Sequence, residues 1–154
     1  MKKVLFVCLG NICRSPAAEG IFKNLIKSRN VADLFIVDSC GTSGYHEGQK
    51  ADKRMRAAAV KRGIELTSFS RALRSSDFEK FDYILAMDNL NYRKLLSRAL
   101  TKSQSDRIYK MCDYVYDLSF DEVPDPFYGG ENGFETVLDI LEEGTENLLR
   151  EILN

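Results

Sequence analysis

The sequence predicts an α/β fold in three layers: a four-stranded parallel sheet with helices on both faces. Three observations carry this. Residues 4–7, 34–37 and 82–87 are short apolar runs rich in β-branched and aromatic residues, as strands covered on both sides should be. Segments with apolar residues at helical spacing alternate with them. The first two runs are separated by one such segment, the spacing of a right-handed parallel crossover.

In chain order, residues 4–7 form the first strand. Ser15-Pro16 is a helix-start signal, a capping residue before proline at the first helical position. The helix is expected over 16–29. Ala17, Ala18, Ile21, Phe22, Leu25 and Ile26 should face inward, and Lys23, Lys27 and Arg29 outward. Residues 34–37 form the second strand, closed by Asp38-Ser39. The glycine-rich loop 41–48 follows at the carboxyl edge of that strand, where open α/β sheets bind ligands. It lacks the lysine-containing pattern of a nucleotide-binding phosphate loop.

A second helix is expected over 51–62, with Met55, Ala58 and Ala59 inward and Gly63 ending it. Residues 82–87 form the third strand. Asp88-Asn89 then cap a helix through Arg98, with Leu90, Leu95, Leu96 and Ala99 as its core residues. Residues 107–111 are a short fourth strand, and 114–124 are irregular. The last helix is expected over 132–153. Phe134, Val137, Leu138, Leu141, Leu148, Leu149 and Ile152 make its apolar stripe, and Glu142, Glu143, Glu146 and Arg150 should be solvated.

A chain of 154 residues fits one domain with a sizeable core. A formal net charge of -1 gives no global pull toward nucleic acid or membrane. No apolar run has the length of a membrane span, and residues 1–16 do not read as a secretory signal, so the cytoplasm is the expected location. Cys8, Cys13, Cys40 and Cys112 form neither a disulfide framework nor paired zinc ligands. Cys8 and Cys13 share one loop, where a reversible bridge under oxidation is conceivable.

Between the first strand and the first helix, five residues separate Cys8 from Arg14. A loop entering a helix presents unpaired N–H groups and the positive end of the helix dipole, a ready site for an anion. The same field stabilises a thiolate at Cys8. Arg14 can hold two oxygens of a tetrahedral anion in its fork. Strand, Cys, five residues, Arg, Ser, helix is thus an arrangement for thiolate attack on phosphate. Far downstream, Asp125-Pro126-Phe127-Tyr128-Gly129-Gly130 reads as a loop. A carboxylic acid there could protonate the poor leaving group of a phosphate ester.

Residues 7–16, Val7-Cys8-Leu9-Gly10-Asn11-Ile12-Cys13-Arg14-Ser15-Pro16, resemble the signature loop of the low-molecular-weight protein tyrosine phosphatases. Asp125-Pro126-Phe127-Tyr128-Gly129 resembles that family's second signature, and the likeness runs along nearly the whole chain. The resemblance implies one phosphatase domain over 1–154 with a flavodoxin-like strand order 2-1-3-4. It implies a protein tyrosine phosphatase acting on phosphotyrosine and small aryl phosphates through a cysteinyl-phosphate, without metal or cofactor. Cys8 would be the nucleophile, Arg14 the phosphate clamp and Asp125 the general acid and base. The backbone N–H groups of Leu9, Gly10, Asn11, Ile12, Cys13, Arg14 and Ser15 would hold the phosphate, and Ser15 would hydrogen-bond the Cys8 sulfur.

Tyr45, Phe127 and Tyr128 would wall the substrate cleft. Tyr45 stands where many members have tryptophan, and Phe127 where many have tyrosine. Many members also have a histidine near Ser70 that supports the phosphate loop; this chain does not. His46, the sole histidine, is a loop residue not assigned as a base. The expected partner is a tyrosine-phosphorylated protein, with no nucleic acid or membrane, and the expected state a monomer or weak oligomer. Two alternatives from other classes stand beside this: a thiol-dependent arsenate reductase using Cys40 and Cys112, and a non-catalytic phosphoprotein-binding module.

Overall fold

In the computed structural model four parallel strands, β1 (Lys2–Cys8), β2 (Phe35–Gly41), β3 (Tyr83–Ala86) and β4 (Ile108–Lys110), line up in the order β2-β1-β3-β4. The structure describes residues 1–154, except the side chains of Tyr128 and Glu131. The cleft-wall role expected of Tyr128 therefore lies outside the described residues. The strand order is the expected one.

β1 is central, and its alternation feeds two cores. Val4, Phe6 and Cys8 point to one face, packed with α1 (Arg14–Ser28), α2 (Lys53–Val60) and the long α6 (Gly133–Leu153). Leu5 and Val7 point to the other, against Phe78, Phe81, Ile84 and Leu95 from the region of α3 (Asp77–Lys80), β3 and α4 (Asn89–Arg98). This is the period-2 pattern of a strand with both faces covered. A further one-turn helix, α5 (Lys102–Ser105), precedes β4; the sequence reading did not include it.

Register sets the functional edge. Cys8 pairs with Gly41, and Val7 with Cys40 and Ala86. The loops after β1, β2 and β3 therefore leave the sheet side by side at its carboxyl edge. Gly41 is required there: a Cβ would sit 2.7 Å from the Leu9 carbonyl oxygen and 2.8 Å from that of Ser43.

Several expected boundaries shift. α1 begins at Arg14, so Ser15 lies inside the first turn rather than capping it; its hydroxyl is occupied elsewhere. β2 runs past Asp38-Ser39 to Gly41, because pairing with β1 continues there. α2 is shorter than expected, with Asp52 as its N-cap accepting from the N–H groups of Arg54 and Met55. Leu90 is 62% exposed and Leu96 is also exposed, so they are not core residues. The short α4 crosses the sheet margin and inserts Leu95, with Tyr92 and Ala99 beside it. α6 buries the expected stripe from Val137 onward and also Ile140, Gly144 and Thr145, while Phe134 at its start is only half-buried. Three of its acids are not simply solvated: Glu146 takes Arg29, the C-cap of α1, on both oxygens, and Glu142 joins Glu135 and Asp139 around Arg62. Glu143 accepts from the backbone N–H groups of Tyr116, Asp117 and Leu118. Burial opposes that charge, but the three N–H groups outweigh it and hold the carboxyl below its ordinary range.

Candidate active site

Residues 9–13 leave β1 and enter α1 as a tight loop, so their N–H groups belong to no strand ladder or helix. At its centre Asn11 adopts φ +56, a left-handed conformation that asparagine tolerates. The Asn11 N–H donates to the Cys8 sulfur at 3.3 Å. Its side chain then fixes the directions of a buried network. The amide donates to Ser15 Oγ at 2.8 Å and to Ser39 Oγ at 2.9 Å, and its Oδ1 accepts from the Arg71 N–H at 3.0 Å. The Ser39 hydroxyl donates to Glu19 Oε1 at 2.5 Å, and Lys23 pairs with the other oxygen of that carboxylate. With an acceptor site filled by Asn11, the Ser15 hydroxyl has two acceptors for its proton, Cys8 Sγ at 3.0 Å and the more distant Cys40 carbonyl at 3.4 Å, and it donates to the nearer sulfur when that is a thiolate. The buried sulfur thus receives two donors, an arrangement suited to a thiolate.

Arg14 is buried in the first turn of α1. Its Nη1 donates to Asp88 Oδ2 at 2.7 Å and to the Val123 carbonyl at 3.1 Å. Burial works against its charge, but the Cys8 sulfur and the Asp88 carboxylate overcome this and raise its pKa. Asp88 has a double duty. Its second oxygen accepts from the Asn91 N–H and caps α4. The sequence showed Asp88 as a cap; its hold on Arg14, 74 residues away, had no sequence signal.

The loop after β2 is strapped onto the phosphate loop. Thr42 and Ser43 donate their N–H groups to the carbonyls of Cys8 and Leu9. Ser70 supports the loop from outside, its hydroxyl donating to the Gly10 carbonyl at 3.0 Å. Ser70 also exchanges backbone bonds with Gly48 and Gln49. The support expected of the family's histidine is thus supplied here by Ser70 and by the backbone of Arg71. Glu19, Ser39 and Arg71 went unread in the sequence. Glu19 did carry a signal, since it lies among Ala17, Ala18, Ile21 and Phe22 on a helix that buries them. A carboxylate in such a place needs partners.

Asp125 lies on the loop before α6. Its Oδ1 accepts from the Phe127 N–H at 3.0 Å and caps a short 3-10 turn, Pro126–Tyr128. The loop rests against α6 at Gly133, where a Cβ would come within 2.4 Å of the Pro126 carbonyl oxygen. Phe127 meets Phe134 edge-on at 6.2 Å.

These parts converge on one cleft of about 360 Å³, lined by Cys8, Leu9, Gly10, Ile12, Cys13, Arg14, Ser43, Tyr45, His46, Asp125, Pro126 and Phe127. Cys8, Arg14 and Asp125 therefore meet, although Asp125 is more than a hundred residues from the other two. Tyr45 stands at the lip, 84% exposed, with its ring edge-to-face on His46. Another hollow, of about 290 Å³, lies behind α1 around Lys23 and Ser68 and shares no residue with this cleft.

Comparison with known proteins agrees with this geometry. Residues 3–154 match the family described as low molecular weight phosphotyrosine protein phosphatase. The low molecular weight protein-tyrosine-phosphatase YfkJ of Bacillus subtilis is 40% identical over 153 residues, covering 99% of this chain and 96% of that one. A crystal structure of a protein tyrosine phosphatase from Entamoeba histolytica is 51% identical, with a TM-score of 0.96, covering 99% of this chain and 97% of that one. A Drosophila arginine phosphatase structure is 34% identical, with a TM-score of 0.91 and coverage of 100% and 99%. With the match spanning both the Cys8–Ser15 loop and the Asp125 loop, this chain belongs to the low molecular weight phosphotyrosine protein phosphatase family.

Proposed function

We propose that residues 1–154 act as one phosphatase domain that hydrolyses phosphotyrosine in proteins, through a cysteinyl-phosphate and without a metal. The observation that carries this is the convergence of Cys8, Arg14 and Asp125 on a cleft with apolar walls. The Cys8 thiolate attacks phosphorus, and the bond to the aryl oxygen breaks. Arg14 and the N–H groups of residues 9–15 hold the equatorial oxygens. Asp125 gives its proton to the departing phenol. Its carboxylate then takes a proton from water as the water attacks phosphorus. The S–P bond breaks, and the Ser15 hydroxyl, 3.0 Å from the sulfur, supports the returning thiolate.

Leu9, Ile12, Tyr45 and Phe127 line the cleft. They suit a flat aryl ring and offer nothing to a hydrophilic serine ester. A phosphoarginine would bring a guanidinium that needs acceptors, and Asp125 is the one carboxylate among these lining residues. The test is turnover of matched phosphotyrosine, phosphoserine and phosphoarginine peptides, with chelator present. Hydrolysis of phosphotyrosine at least about 10²-fold faster than the others is expected, on the scale at which a built site separates substrates. Preference for phosphoarginine would reassign the substrate.

Arsenate reduction finds less support. Cys40 is wholly buried in β2. Cys112 follows β4, two strands away from β1, about 10 Å across the sheet. Burial pushes its thiol up to about 12, away from the reactive thiolate.

Cys13 is proposed as a redox partner of Cys8. Peroxide converts the Cys8 thiolate to a sulfenic acid, and the Cys13 sulfur then displaces that oxygen as water, closing a disulfide that a thiol reductant reopens. Burial, reinforced by Asp52, Cys8 and Asp125, pushes the Cys13 thiol well up, so closure should be slow. Peroxide-treated wild type should regain activity with dithiothreitol under conditions that leave Cys13→Ser permanently inactive. Equal recovery of both would remove Cys13 from this role.

A further inference from the structure

The general-acid loop needs something to fix it over the phosphate loop, and one residue outside both is built to do so. Arg54, in the first turn of α2, lays its guanidinium over the Phe127 ring at 4.8 Å and over the Phe134 ring at 5.0 Å. Phe134 belongs to α6 and Phe127 to the Asp125 loop. The cation therefore bridges the rigid helix and the loop that lies on it. The other edge of the guanidinium is oriented by Asp52, with Nε 3.3 Å from Oδ1 and Nη2 3.3 Å from Oδ2. Asp52 in turn donates its N–H to the Ile12 carbonyl in the phosphate loop at 2.7 Å. Two residues of one helical turn thus hold both halves of the cleft: Asp52 the phosphate loop, Arg54 the acid loop.

We propose that Arg54 is a positioning residue for Asp125, setting the general acid through the Phe127 ring. The proposal rests on the phosphatase reading above. Its mechanism is short-range. Asp125 and Phe127 share one turn, closed by the bond from the Phe127 N–H to Asp125 Oδ1. Fixing the ring fixes the carboxylate. Phe127 is 46% exposed, so packing alone restrains it weakly. An arginine is required rather than any cation, since a planar group is needed to stack on rings while its edge meets a carboxylate. Lysine can supply the charge but not both contacts.

The test is Arg54→Ala and Arg54→Lys, read as kcat/KM over aryl phosphates of graded leaving-group basicity. Arg54→Ala should lower kcat/KM for phenyl phosphate about 5- to 30-fold, the effect of losing two exposed cation–π contacts. The loss should shrink toward about twofold for a nitro-activated ester, which needs little protonation. Arg54→Lys should fall between. In an Asp125→Asn background the Arg54 effect should vanish, because the proton it positions is gone. Equal losses on all esters, or a full Arg54 effect without Asp125, would overturn the proposal.

A second readout does not need turnover. Amide exchange of Phe127 should speed up several-fold in Arg54→Ala, with exchange at Asn11 and Ile12 unchanged. Unchanged exchange at Phe127 would overturn the proposal even if every variant were active. An inactive wild type would overturn the phosphatase reading instead.

Discussion

Replacing Cys8 with serine is expected to reduce phosphotyrosine hydrolysis by at least about 10⁴-fold, the scale seen when a covalent nucleophile is removed. The surroundings explain why oxygen cannot substitute. The sulfur is buried, receives the Asn11 N–H at 3.3 Å and lies 3.0 Å from Ser15 Oγ. Two donors stabilise a large anionic sulfur. They cannot ionise a hydroxyl at neutral pH, and among the described residues lining the cleft Asp125 is the one carboxylate, committed to the leaving group. Substrate binding should survive, because Arg14 and the loop N–H groups are untouched. Cys8→Ser should therefore bind a phosphotyrosine peptide with near wild-type affinity by calorimetry while failing to turn it over. Turnover within about tenfold of wild type would remove Cys8 as the nucleophile. Wild type that binds without turnover would point to the phosphoprotein-binding alternative.

The legible parts of this molecule were those written locally. The alternation of apolar runs with helical stripes gave the sheet and its helices. The Cys8–Ser15 loop was read as an anion site because strand, glycine, arginine and helix start are consecutive. Boundaries were less legible, for a physical reason. Ser15-Pro16 is a good helix start by propensity, yet α1 begins at Arg14 because the Ser15 hydroxyl is used by Cys8 and Asn11. Leu90 and Leu96 fit a helical stripe, but α4 contributes only Leu95 to the buried core at the sheet margin. Periodicity reports which residues could face inward, not how much of a helix the sheet covers.

The supporting network was not legible because its members are distant in sequence and chemically ordinary. Asp88 reads as a cap whether or not it also holds Arg14. Ser39 reads as the end of a strand, and Ser70 as a departure from the family. Only the fold brings Glu19, Ser39, Asn11 and Ser15 into one line ending at the sulfur. Direction is what makes the line work. Glu19 can only accept, so Ser39 must donate to it. Asn11 donates to both serines, so the Ser15 proton is left to the Cys8 sulfur at 3.0 Å or the Cys40 carbonyl at 3.4 Å, and a thiolate at the shorter distance takes it. A chain of ordinary polar residues, each fully satisfied, becomes a device for holding one sulfur.

Asp125 offers the other large effect, and two substitutions separate its chemistry from its architecture. Asp125→Asn removes the proton but keeps an oxygen for the Phe127 N–H, so the 3-10 turn survives. Asp125→Ala removes both. For phenyl phosphate, Asp125→Asn should lower kcat/KM by roughly 10²–10⁴-fold, the usual contribution of general acid catalysis. For a nitro-activated ester the loss should be much smaller, since that phenolate departs without a proton. The second half-reaction loses its base in either variant, so the cysteinyl-phosphate should accumulate. A burst of nitrophenol followed by slow turnover should appear in rapid mixing. Asp125→Ala should show the same dependence on the leaving group, and amide exchange at Phe127 should speed up in it and not in Asp125→Asn, because the turn has lost its acceptor. Identical losses for phenyl and nitrophenyl esters in Asp125→Asn would mean that the carboxylate shapes the loop without donating a proton. The acid would then have to be sought elsewhere, and His46, whose imidazole lines the same cleft, would be the first group to replace.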